Sequence, residues 1–208
     1  MRALGERFIM WRMSQLSKVE RLRFENIVDM GLAFSAMMRV FEKGSKEELH
    51  NRIVTQTAEK IFNSSSREEF TRIHTAFCEW GTRNIRQAER KRKGKVITRK
   101  GSPASYGQIA KTLDVTLKVV VYYCHLPDCR KFESICQWLN AAVDTAMMGD
   151  LKRNFPGQTK RWPHSLKEVD KPAYYRIQQL VRESIKQEHH GPITCPQWDD
   201  IHWKEANQ

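Results

Sequence analysis

Residues 45–92 read SKEELHNRIVTQTAEKIFNSSSREEFTRIHTAFCEWGTRNIRQAERKR, and their periodicity decides the fold class. Ser45 and Ser66 each have a glutamate three residues on, the pattern of a capping box in which hydroxyl and carboxylate reciprocally satisfy free amides at a helix start. The spacing predicts helices over 46–62 and 67–92. The Asn63-Ser64-Ser65 turn between them is short enough for an antiparallel hairpin. Upstream, Ser17 precedes Val19, Leu22, Phe24, Ile27, Val28, Met30, Leu32 and Phe34, mostly at the three-and-four spacing of a helix face, and the pattern continues to Gly44. No alternating strand pattern occurs before residue 95, so the chain reads as mainly α.

Downstream the elements are shorter. Val96, Ile97 and Thr98 can form a brief strand, which Gly101-Ser102-Pro103 interrupts. Residues 106–114 have helical character, whereas 115–126, with Val119-Val120-Val121-Tyr122-Tyr123, suit either a strand or a buried helix. A helix is predicted over 132–148, closed by Gly149, and another over 172–188 with Pro172 in its first turn. The tail from His189 carries Gly191, Pro192 and Pro196 and reads as irregular, docked through Trp198 and Trp203. The organisation expected is a multi-helix bundle: an N-terminal helical region over 1–94, a basic linker over 95–105, and a C-terminal helical region over 106–208.

Charge is concentrated. The 208 residues carry 36 Lys plus Arg against 24 Asp plus Glu, a net +12. Residues 83–100, RNIRQAERKRKGKVITRK, hold nine cations against Glu89 alone, a net +8, while 45–82 and 101–150 are each −1. A block of like charge repels itself, and a polyanion neutralises it. Arg83, Arg86, Arg90, Lys91, Arg92, Lys93, Lys95, Arg99 and Lys100 are therefore the candidate phosphate contacts. A solvated linker between two helical halves is the competing reading.

Directly after this block, YGQIAKTLDVTLKVVVYY (106–123) places Ile109, Ala110, Leu113, Val115, Val120 and Tyr123 at the spacing of two short crossing helices, with Ala110 small at the crossing and Val115 inward at the turn. The segment resembles the helix-turn-helix motif of DNA-binding proteins over 106–125. Its opening, Ser105 to Ala110, also looks like the first helix of the winged-helix domain in alkylguanine-DNA alkyltransferases and their alkyltransferase-like relatives. The Pro-Cys-His-Arg active-site sequence of those alkyltransferases is absent, so no repair activity is carried over. The resemblance implies a helix-turn-helix-like unit in the C-terminal half, with Lys118 and Tyr122 as groove contacts. Asp114 stands at the turn where glycine is usual, and the second helix is rich in residues suited to burial; a hydrophobic hairpin within a helical core is the alternative.

Other chemistries are thinly supported. Cys124, His125 and Cys129, with Cys136 beyond, have metal-like spacing but no second pair short of a contact from His189, His190, Cys195 or His202; no metal site and no cofactor is assigned. Pro127-Asp128 with Asp150-Leu151-Lys152 meets the loose form of the PD-(D/E)xK nucleases, whose paired carboxylates hold Mg²⁺, yet Asp150 follows a predicted helix rather than a strand. His74 and Cys78, one turn apart, read as a core face. Tyr174, Tyr175, Trp162, Trp198 and Trp203 lie among Lys160, Arg161, Lys171, Arg176 and Lys204, a mixture that serves stacking on single strands or packing of the C-terminal helix. No membrane-spanning run and no uncharged secretory segment is present, and the five cysteines suit reduced thiols, so the expected setting is intracellular: cytoplasm, nucleoid or nucleus. The function expected is non-enzymatic binding of nucleic acid, DNA foremost. The alternatives are a protein-interaction or assembly subunit, pairing through Met- and Phe-rich helices with a protein partner or a second copy, and a Mg²⁺-dependent nuclease using Asp128 and Asp150.

Overall fold

The computed structural model describes residues 11–127, 132–188 and 193–205, in which helices form a bundle accompanied by two small two-stranded ribbons. Helix α1 (Lys18–Phe34) opens as its sequence dictates. Ser17 accepts the Glu20 amide while the Glu20 carboxylate takes the Ser17 amide at 2.8 Å. It stops short of Gly44, because the Ser35 hydroxyl accepts the Met37 amide and a 3-10 turn over Ala36–Arg39 follows. The next helix runs as α2 (Ser45–Arg52), a π-helical stretch (Ile53–Thr57) and α3 (Ala58–Asn63). No capping box forms at Ser45: Gly44, at φ +93°, precedes the helix, and Ser45 is its first, buried residue. At α4 (Arg67–Asn84) Ser66 accepts the Glu69 amide, but the Glu69 carboxylate reaches back to the amide and hydroxyl of Ser65 instead. α4 ends at Asn84, not near 92, since Ile85 turns extended and buries its side chain completely.

At the centre stands α5 (Tyr106–Leu117), prolonged without interruption by a π-helical stretch over Lys118–Tyr123. This resolves 115–126 in favour of helix, and it corrects the helix-turn-helix expectation: no turn occurs at Asp114–Val115. The reason is visible in the burial. Ile109, Ala110, Leu113, Leu117, Val120 and Val121 are all buried, as are the polar Thr112, Asp114 and Thr116, and α1 and α4 both pack on α5, so the segment is covered on nearly every side and serves as a core helix. Two glycines allow the close approach. A Cβ on Gly31 of α1 would lie 2.8 Å from the Thr116 Cα, and one on Gly81 of α4 would lie 2.5 Å from the Ile109 Cγ2.

The helix expected over 132–148 is divided into α6 (Phe132–Trp138) and α7 (Thr145–Asn154), and Gly149 lies inside α7 instead of ending a helix. Between them the backbone is bonded by a side chain: Gln178 accepts the Ala141 amide at 3.1 Å and donates to the Ala141 carbonyl at 2.8 Å, substituting for helical bonds. Asp144 then caps α7 through the Met147 amide. α8 (Lys171–Glu188) follows the prediction, with Pro172 in its first turn. The tail read as irregular forms a helix, α9 (Cys195–Glu205), because Pro196 falls at its start, where a missing amide costs nothing. Trp198 docks it with no exposure, whereas Trp203 is 64% exposed. The molecule is thus mainly α. Among the described residues no helix is long and apolar enough to cross a membrane.

Candidate nucleic-acid interface

The basic block is built as a two-stage hairpin. Its root pairs β1 (Arg86–Gln87) with β4 (Ser102–Pro103), and its arm pairs β2 (Arg90–Arg92) with β3 (Lys95–Thr98), both antiparallel. Two consecutive residues of positive φ, Lys93 at 50° and Gly94 at 76°, close the arm; that two-residue geometry matches the right-handed twist of the strands. Glycine supplies it freely at the second position.

The root is held by the core. Gln87 is 4% exposed, donates to the Pro103 carbonyl at 2.7 Å and accepts from Gln108 of α5 at 3.1 Å. The Ala104 amide bonds Ile85, and residues 40–42 lie against the outer side, with Ala88 donating to Val40 and Glu42 donating to Arg86. The Glu42 carboxylate and the Gln87 carbonyl share the Gly101 amide. One further tie reaches the arm itself: Lys167 donates to the Ile97 carbonyl at 2.7 Å and to the Thr98 hydroxyl at 2.9 Å. Neither Lys167 nor Glu42 stands out in the sequence as an anchor, since nothing local links them to residues 97–101.

Beyond the root the arm is open. Arg90, Lys91, Lys93, Lys95, Arg99 and Lys100 are exposed, as is Arg83 at the end of α4, while Arg86 is half-buried with its guanidinium 3.3 Å from the Ile85 carbonyl. Residue 92 lies within β2. Among the described residues, the ion pair recorded for these cations is Lys91 with Glu89 at 3.0 Å, both ends exposed, a pair of small energetic weight. The structure therefore gathers the predicted phosphate-contact residues onto one projecting ribbon and its base.

Lys118 and Tyr122 do not join them. Lys118 is 9% exposed and its ammonium lies 2.5 Å from Asp199 and 2.6 Å from Asp200 on α9. It is committed to holding the C-terminal helix and is corrected from groove contact to internal ion pair. Burial raises the Asp199 carboxyl despite that lysine. Tyr122 is partly buried against the core.

The remaining candidates fall elsewhere. Asp128, Cys129, His189 and His190 lie outside the described residues, and among the described residues no three His, Cys, Asp or Glu side chains are placed to hold a metal. Cys78, Cys124, Cys136 and Cys195 are free thiols. Asp150 pairs with Arg153 and faces His202 at 3.9 Å. Of the aromatic set, Tyr174 and Trp198 are fully buried and Trp162 is 9% exposed, which is packing and not a stacking platform.

A buried polar cluster appears that sequence reading did not assemble. His74 Nε2 lies 2.9 Å from Asp114 Oδ1, the Tyr174 hydroxyl donates to Asp114 Oδ2 at 2.7 Å, and Cys78 Sγ is 3.7 Å from His74 Nδ1. His74 and Cys78 are indeed on a core face, as their spacing suggests, with no exposure. Burial opposes charging His74, but its neighbours outweigh that and hold its pKa well above the ordinary value. Burial also pushes the Cys78 thiol up, and of the neighbours that favour the imidazolium Cys78 comes first and Asp114, through its charge and its direct hydrogen bond, second. The cluster is sealed from solvent and ties α4, α5 and α8 together.

No protein-family model, curated protein or solved structure matches this chain.

Proposed function

We propose that the protein binds nucleic acid, DNA foremost, through the basic arm. The observation that carries this reading is the placement of the charge: a segment with nine cations and one carboxylate projects as a ribbon from a root fixed in the core, with little internal neutralisation. Phosphates supply the missing counter-charge, and each contacted phosphate releases condensed counterions on binding. Affinity then depends steeply on salt and weakly on sequence.

The test is a salt titration of binding to a duplex. With about eight phosphate contacts the slope of log K against log salt is about −7. Replacing Arg90, Arg92, Lys93 and Lys95 together by Gln makes it shallower by about 3.6. An unchanged slope and affinity in that variant, or no binding at low salt by the parent, refutes the proposal.

One observation favours a second reading, an assembly subunit. Val19, Leu22, Met30 and Phe34 of α1 are 76%, 48%, 49% and 68% exposed, on the face away from buried Phe24, Val28 and Leu32. Part of the Met- and Phe-rich stretch over 33–41 instead lies inward, with Phe41 5% exposed. Sedimentation of the protein alone at high salt tests this: mass rising with concentration supports self-assembly, and a constant monomer mass counts against it.

A further inference from the structure

We infer that the arm lies in the major groove of duplex DNA, where Val96 and Ile97 contact thymine C5-methyl groups. This rests on the nucleic-acid reading above and deepens it by naming the form of nucleic acid and the group read.

The starting observation is two apolar side chains that the core does not use. Val96 is 50% exposed and Ile97 46%, on a strand whose next residue, Thr98, is 4% exposed. Regular alternation would turn one of two successive residues away from solvent. The register explains why it does not: Arg90 pairs with Thr98 and Lys91 with Val96, leaving Ile97 as the extra residue of a bulge. Bulges re-aim side chains in this way. The result is an aliphatic pair among Lys91, Lys95 and Arg99, all exposed. Phosphates satisfy the cations but offer nothing to a valine and an isoleucine.

Four anionic partners present apolar surface between charges, and the composition of 83–100 together with the shape of the arm separates them. The segment contains no Trp, Tyr or Phe. Single-stranded nucleic acid is bound largely by stacking bases on aromatic rings, and membrane interfaces favour Trp, Phe and Leu on the inserted face. Neither fits an arm whose apolar groups are β-branched aliphatics. Duplex DNA does, because thymine places a methyl group in the major groove and nowhere else. The groove also fits the element: a two-stranded ribbon enters a channel about 12 Å wide but not one about 6 Å wide. The deep, narrow major groove of A-form RNA excludes side chains.

The experiment changes the DNA first, so the fold of the protein is untouched. Binding of the full chain is measured on a duplex of alternating A·T pairs and on the same duplex with deoxyuridine in place of every thymidine, which deletes the methyl group and leaves the phosphates. Burial of one methyl is worth about fourfold in affinity, so the parent protein is expected to prefer the thymidine duplex by about fourfold to fifteenfold for one or two methyls. The Val96→Ser/Ile97→Ser variant is expected to lose that preference while keeping the parent's salt slope, which also shows that the arm is still formed. Equal affinity of the parent for the two duplexes, with a steep salt slope on both, overturns the methyl contact and leaves the nucleic-acid reading standing. A preference retained in the double-serine variant also overturns it. Absence of binding to either duplex at low salt removes the nucleic-acid reading and this inference with it.

Discussion

Removal of the Asp114 carboxylate is the perturbation on which the central packing makes its sharpest statement. Asp114 is 2% exposed, and each of its oxygens is taken by a fully buried partner, His74 at 2.9 Å and Tyr174 at 2.7 Å. Hydrogen bonds to a charged group contribute about 1.5–3 kcal/mol each, and breaking a buried ion pair by deleting one partner costs about 3–5 kcal/mol. Asp114→Ala should therefore lower stability by about 3–5 kcal/mol, a large share of the roughly 5–15 kcal/mol of an ordinary domain. Asp114→Asn keeps the shape and one acceptor, and its signature lies in pH dependence. Because the imidazole is held well above its ordinary pKa, the folded state retains a proton that the unfolded chain releases near pH 6.5. That contribution is complete below pH 6.5 and is lost as pH rises through the folded-state value, at about 1.4 kcal/mol per pH unit. Urea unfolding followed by tryptophan fluorescence between pH 6 and 7.5, about one pH unit below the ordinary thiol pKa of about 8.5, isolates this group. Parent stability should fall across the window and Asp114→Asn should fall less steeply. A flat parent, or an alanine variant within 1 kcal/mol of it, refutes the reasoning.

Lys118→Ala should cost about 3–5 kcal/mol in the same assay, since it strands an Asp199 carboxylate that is largely buried, and should leave the salt slope of DNA binding as it was; a change in slope without loss of stability would return Lys118 to the interface. Gly81→Ala should cost about 1–3 kcal/mol, because its Cβ would meet Ile109 Cγ2 at 2.5 Å and Cγ1 at 2.9 Å. Combined with Ile109→Ala the two changes should be less than additive in thermal denaturation, and strict additivity would show that the two residues do not share the crossing.

Elements were legible where local chemistry and tertiary need coincide. Ser17 with Glu20 and Pro172 at a first turn act within a few residues of themselves, so the starts of α1 and α8 could be read directly. The larger failures involve a partner distant in sequence. Gln178 supplies the bonds that let 139–144 leave the helix, 37 residues from Ala141. Residues 106–123 have the spacing of two crossing helices, yet the same apolar positions suit a helix surrounded by α1 and α4, and only the distant His74 and Tyr174 show that Asp114 is a buried acceptor and not a turn residue. The candidate interface was legible in composition, as net charge needs no structure to count, but its shape was not. The Val96-Ile97-Thr98 strand signal was present, while the partner strand is Arg90–Arg92, a trio that carries no β-propensity of its own.

That an all-cationic trio forms a strand at all follows from what the alternatives cost. Continuing α4 through residue 92 would stack Arg83, Arg86 and Arg90 along one helix face, and like charges at that spacing are mutually destabilising. In the hairpin, Lys91 stands opposite Val96 instead of another cation, while residue 92 stands opposite Lys95, one like-charged cross-strand pair in place of a row of them. The root offsets what repulsion remains: Gln87 and Ile85 are anchored in the core, and Lys167, although itself a cation, binds Ile97 and Thr98 through backbone and hydroxyl oxygens. The architecture thus keeps the described cations of this segment ordered with little internal neutralisation, Lys91 with Glu89 aside. An arm so arranged is stabilised further by any partner that brings phosphates to both of its edges, and this makes the electrostatic cost borne by the free protein part of its affinity for the bound state.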